Sequence, residues 1–198
     1  MMLVEETTVP LAALPVTEFK AHLRLGSGFA EDSVQDAVLE SFLRAAMAAI
    51  EARTGKILIE REFSWTLSRW RDVTGQVLPV APVSAIASVV LIDRGEVETV
   101  LDSAVYRLVP DLQRPRISPV GTLLPQVPSG GSVRVGLLAG YGPEWSDLPA
   151  DLAQAVLLLA AHYYEYRHDT GLSSGCMPFG VTSLLERYRT VRIFAGSL

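Results

Sequence analysis

Lysine is nearly missing from this chain. Only Lys20 and Lys56 occur among 17 basic residues, and the rest are arginine. Arginine suits bidentate pairing across protein interfaces, although a GC-rich genome produces the same bias. Cysteine is as scarce: Cys176 stands alone, which excludes an internal disulfide framework and a secreted disulfide scaffold. Long apolar runs are absent too. The longest, Ala155 to Ala161, falls far short of the ~20 residues that span a bilayer. The opening stretch MMLVEETTVPLAALPV has no basic n-region and is broken by Pro10 and Pro15, so it does not read as a signal peptide. A soluble protein without a membrane partner is expected. There is no cationic surplus either. A net charge of −5 argues against the whole protein wrapping a nucleic-acid backbone, but leaves room for a local basic patch. Hydrophobic residues are plentiful: 49% of 198 residues is enough to build a core.

Catalytic patterns are also missing. His162, Glu165 and His168 follow one another in steps of three, but His168 falls about 240° round a helix from His162, so one helix cannot bring all three to one metal. His22 is distant in sequence. Cys176 lies between Gly175 and Met177, with nothing to make a thiolate. Gly136, Gly140 and Gly142 in GLLAGYG follow a strand and precede a helix, yet they match no phosphate-loop spacing and no lysine accompanies them. A strand-to-helix turn explains them better. No catalytic residue, cofactor or metal site is expected, and the chain reads as a non-enzyme.

Periodicity divides the chain into an α-α-β-α-α order. VTEFKAHLRL has helical spacing, with Thr17 as a plausible cap and Gly26 as its stop. A longer helix runs from a cap at Asp32 to Gly55, with Val34, Val38, Leu39, Phe42, Leu43, Ala46, Met47 and Ile50 in a broad apolar stripe. At Lys56 the period changes to two: Ile57, Ile59, Phe63, Trp65 and Leu67 alternate with Leu58, Glu60, Glu62, Ser64 and Thr66. The Ile86–Ile92 run, a turn at Asp93-Arg94-Gly95 and EVETVL predict a hairpin. VYRLV and SVRVGLL predict further strands, separated by loop at Pro115, Pro119, Pro125 and Pro128. Helical spacing returns beyond Pro149, with Leu152, Ala155, Val156, Leu159, Ala160 and Tyr163 on one face and Leu158, Ala161 and Tyr164 on a second. A short amphipathic helix, VTSLLERYRTVR, follows. The fold class expected is α+β: a helical bundle from residues 16–54 and 147–190, a small antiparallel β unit inserted at 56–140, and a C-terminal tail at 191–198, all in a single domain over 1–198.

The blocks LPVTEFKAHLRL, IEARTG, LPVAPVSAIASVVLID, VRVGLLAGYG and LPADLAQAVLLLAAHYYEYR, in this order, resemble the head–tail connector (adaptor) proteins of tailed phages and gene transfer agents. The resemblance covers the chain from about Leu14 to Arg192. It implies a structural subunit of a dodecameric ring in the neck of a virion or phage-like particle, assembled in the bacterial cytoplasm. Such a ring sits beneath the portal protein, extends a channel that DNA crosses without specific binding, and meets a stopper or tail terminator. In related connectors the C-terminal segment engages the portal. Here the docking candidates are Arg187, Tyr188, Arg189, Arg192, Ile193 and Phe194, a basic and aromatic group expected to be loosely held in the free subunit. The alternatives are another neck or tail-completion ring protein and, from a different class, a small α+β ligand-binding module or enzyme. The last would need a polar constellation that the sequence does not offer.

Overall fold

The structure is a computed structural model and describes residues 2–25, 33–167 and 177–189. The chain forms two compact units. One combines Met1–Pro10 with Ile57–Glu144, and the other combines Leu11–Lys56 with Trp145–Leu198. The α+β class expected from the sequence is the one found.

The β unit contains eight strands: β1 (Met2–Glu5), β2 (Arg61–Leu67), β3 (Gln76–Val77), β4 (Val83–Ile92), β5 (Glu98–Val100), β6 (Tyr106–Val109), β7 (Arg116–Pro119) and β8 (Ser132–Ala139). They form a five-stranded sheet in the order β1-β2-β8-β4-β5 and a three-stranded sheet in the order β3-β7-β6. Every pairing is antiparallel. The two sheets share one core. Phe63, Trp65 and Leu67 of β2 and Val133, Val135 and Leu137 of β8 join Val89, Tyr106 and Ile117 in it. Strict inward alternation along β2 and β8 is what a sheet buried on one face requires. Side-chain hydrogen bonds brace the smaller sheet: Trp70 Nε1 donates to the Pro125 carbonyl at 2.8 Å, and buried Gln76 accepts from Arg71 N–H at 2.8 Å.

Three local expectations are corrected here. The N-terminal stretch, in which no element was expected, supplies edge strand β1, held to β2 by the Arg61 Nε–Glu5 Oε1 ion pair at 2.9 Å. Its alternation is invisible because all four residues are exposed. Residues 56–59 are not a half-buried strand: Lys56, Ile57, Leu58 and Ile59 are all buried, including Leu58, which was expected on the outer face. The proline-rich region expected to be loop contains β7; Pro119, at its last position, pairs with Tyr106. Proline is compatible with a strand end because no ladder donor is needed there. The Asp93 turn does close the β4–β5 hairpin, with Asp93 Oδ1 accepting from the N–H groups of Gly95 and Val97.

The helical unit contains α1 (Val16–His22), α2 (Ser33–Thr54), α3 (Ala150–Glu165) and α4 (Phe179–Leu185). Pro15, not Thr17, occupies the N-cap of α1, and the helix ends at His22. Asp32 and Gly26 lie outside the described residues. The α2 stripe predicted from spacing is buried at Leu39, Leu43, Ala46, Met47 and Ile50 and half-buried at Phe42, but Val38, expected on it, is 47% exposed because it falls at the stripe's edge. Gly55, at φ 69°, ends the helix in the left-handed region that glycine adopts freely. Helix α3 packs on α1, α2 and α4, with an edge-to-face contact between Phe42 and Tyr164 at 5.9 Å. Its first face is buried at Leu152, Ala155, Val156, Leu159 and Ala160 but only half-buried at Tyr163, and Leu158, Ala161 and Tyr164 stay half-buried.

Candidate functional site

Beyond α4 the chain makes a single 3₁₀ turn, Glu186–Tyr188. This turn carries the first of the docking candidates, and the fold treats them unequally. Tyr188 is buried, and its hydroxyl donates to Asp151 Oδ1 at 2.6 Å. Asp151 stands in the first turn of α3, where a carboxylate is favoured by the helix dipole. Arg187 reaches the other oxygen of the same carboxylate at 3.1 Å, and its guanidinium lies 4.8 Å from the Tyr188 ring centroid. The turn is therefore stapled to the start of α3. At Arg187 and Tyr188 the structure differs from the loose segment expected, because both side chains are bonded to Asp151 of α3. Arg187 remains 70% exposed at its side chain, and Arg189 is exposed with a weak pair to Glu186 at 3.4 Å. Arg192, Ile193 and Phe194 lie outside the described residues.

Burial, then the hydrogen bond to Asp151, pushes the Tyr188 phenol up to about 12. Below pH 10 both folded and unfolded chains carry this phenol neutral. Between pH 10 and about 12 the unfolded chain loses the proton first, so it binds fewer protons and stability falls as pH rises. Tyr188→Phe should cost about 1 kcal/mol at neutral pH and make the alkaline fall shallower. Burial also raises Tyr106 and Tyr163, so some slope remains. Urea midpoints at pH 9 and 11.5 check this. Equal slopes in the two proteins would show that Tyr188 is not tied as described.

A second feature could not be read from the helix spacing alone. His22, at the end of α1, joins His162 and Glu165 of α3 around a cavity of about 280 Å³, with Leu158, Ala161 and Val181 also lining it. His162 spends one side on Tyr166, at 4.7 Å between ring centroids. Among the described residues, no group of three His, Cys, Asp or Glu side chains is arranged to hold a metal ion. No described helix is long and apolar enough to cross a membrane.

The AGYG motif lies between strand β8 and helix α3, as expected, and also packs against neighbouring backbone. Gly140 N–H donates to the Pro82 carbonyl at 3.1 Å, Tyr141 N–H to Leu58 at 3.0 Å, and Gly142 accepts from Glu60 N–H at 2.8 Å. The motif threads against residues 58–60, and Gly142 bridges Ile59 in parallel.

No protein-family model and no curated protein sequence matches the chain. Solved structures do. A chain in the neck of an empty gene transfer agent particle, computed with C6 symmetry, is 55% identical over 99% of both chains, with a TM-score of 0.89. One in the virion of a native gene transfer agent particle is 55% identical over the same shares, with a TM-score of 0.87. One in the neck of a native particle, computed with C12 symmetry, is 52% identical over 99% of both, with a TM-score of 0.85. With its helices, β unit and connecting AGYG segment all spanned by such matches, the chain belongs to the head–tail connector family of tailed phages and gene transfer agents.

Proposed function

We propose that this chain is the head–tail connector subunit of a phage-like particle. It forms a ring in the neck beneath the portal, extends the channel that DNA crosses, and offers a platform to a stopper or tail terminator. One observation carries this reading: likeness over 99% of the chain to proteins of gene transfer agent necks whose structures have ring symmetry. The physical chemistry is compatible. Ring subunits need head-to-tail surfaces that close on themselves, and the half-buried second face of α3 leaves apolar area beyond what the subunit's own core uses. A net charge of −5 is compatible with a channel that lets DNA slide. The role is mechanical, and no reaction is assigned to the protein.

Portal docking falls to the exposed Arg187 and Arg189 and to the residues that follow. Because Tyr188 anchors the chain before this point, deleting residues 191–198 should leave the melting temperature nearly unchanged and abolish attachment to portal rings. Electron microscopy of portal rings mixed with the truncated protein tests this. Normal decoration would rule out C-terminal docking, and unfolding would place the tail in the core. Electron microscopy of intact necks tests the larger claim, which requires a ring of this chain next to the portal.

A further inference from the structure

Two surfaces of the β unit are unlike the rest of it, and they complement each other. The first is the outer face of the small sheet with its connecting loops. Arg107 and Val109 alternate there with the inward Tyr106 and Leu108. The β6–β7 connection adds Leu112 and Arg114, and Val120 follows β7. Leu112 and Val120 are 64% and 61% exposed, and the guanidinium groups of Arg107 and Arg114 meet no carboxylate among the described residues. Exposed aliphatic side chains mixed with unpaired arginine are the composition of a protein interface.

The second surface lies along the free edge of the large sheet. Glu6 N–H donates to the Glu62 carbonyl at 2.9 Å, which carries the β1–β2 register one residue beyond Glu5↔Phe63 and sets Glu6 across from Glu62, on the face to which Glu62 points; the Glu62 N–H goes instead to Thr7 Oγ1. That face is the outer one, because Phe63 and Trp65 point inward. The same pleat places Met2 and Val4 beside them, 60% and 37% exposed. Glu6 and Glu62 have no cationic partner among the described residues. Like charges directly opposite on a sheet are unfavourable, so the isolated subunit retains a repulsion that a neighbour's cations would relieve. Among the described residues β1 also has no strand on its outer side, an edge that folded proteins normally cover or blunt.

We propose that these two surfaces are the two halves of the subunit–subunit contact: the Arg107–Arg114 face of one copy seats on the Glu6–Glu62 edge of the next. The proposal rests on the ring reading above. Two different, mutually complementary patches on one subunit make a head-to-tail contact, which is the kind that closes into a ring. Charge complementarity, with aliphatic side chains on both patches, selects a second copy of this chain as the occupant over an unrelated protein.

The test uses charge reversal in assembled particles. One variant carries Arg107→Glu with Arg114→Glu, and the other carries Glu6→Arg with Glu62→Arg. Each alone faces like charge with like at every contact, so necks containing this chain should fall by about tenfold or more. Both produced together should restore them, because alternating copies satisfy every contact around a ring with an even number of subunits. A single chain carrying all four changes should restore them as well. Circular dichroism melts of each variant separate loss of assembly from loss of folding. The proposal is overturned if either double variant alone assembles normal necks. It is also overturned if both variants are folded and neither the mixture nor the fourfold variant recovers assembly. Wild-type necks without any ring of this chain would instead overturn the reading on which the proposal rests.

Discussion

Gly140→Ala is expected to destabilise the β unit by about 3 kcal/mol or more, combining overpacking with backbone strain. A Cβ at this position would stand 2.3 Å from Glu60 Cα, 2.4 Å from Glu60 N and 2.7 Å from the Ile59 carbonyl carbon. All three are backbone atoms, so no side-chain rotation relieves the clash. Gly140 also holds φ at 142°, a conformation that residues with a side chain rarely adopt. Moving the segment away would stretch the hydrogen bonds from Gly140 to Pro82, Tyr141 to Leu58 and Glu60 to Gly142 together. Gly121→Ala is the control, since nothing lies within 4 Å of its added Cβ; it should stay within about 0.5 kcal/mol of wild type. Calorimetry reads the difference as a fall of roughly 6–12 °C for the first substitution and little change for the second. A fall under about 2 °C for Gly140→Ala would mean that the motif does not pack against residues 58–60.

In the helical unit, Leu159→Ala should cost about 2–5 kcal/mol, the range for removing a leucine from a core that relaxes only in part. Leu159 is 1% exposed on the face of α3 that also buries Leu152, Ala155 and Val156. Leu158, its immediate neighbour, lies on the half-buried face beside the His22 cavity. Leu158→Ala leaves a gap already open to water, so it should cost about 1 kcal/mol or less. Denaturant midpoints of the two variants check this rotation of the helix. Equal losses, or a larger loss for Leu158, would contradict the packing of α3 described above.

The legible parts of the fold were those in which one face is buried against a continuous core. The α2 stripe and the alternation along β2 and β8 show this, because 3.6- and 2-residue periods survive only where every inward position must be apolar. Strand β1 was not legible: with both faces of an edge strand exposed, no period is imposed on its side chains. Strand β7 was hidden for another reason. Pro119 looks like a break, and only its pairing with Tyr106 at the strand end shows that no ladder donor is needed there. Leu58 was misplaced because alternation was extended into a segment that is buried without being a strand.

The candidate site followed the same division. The arginines near the C-terminus could be picked out by charge, but Tyr188 could not be told apart from them, because its partner Asp151 is 37 residues away and reaches it only through the packing of α4 on α3. His22 and His162 share a cavity for the same reason. By itself the sequence determined the helix and strand periods, the α+β order and the block pattern of the connector family, since each is a property of neighbouring residues. Only the tertiary structure decided which polar groups meet, which glycine is pressed against backbone, and which outer faces stay without a partner. Those depend on residues brought together by folding, and no local spacing encodes them.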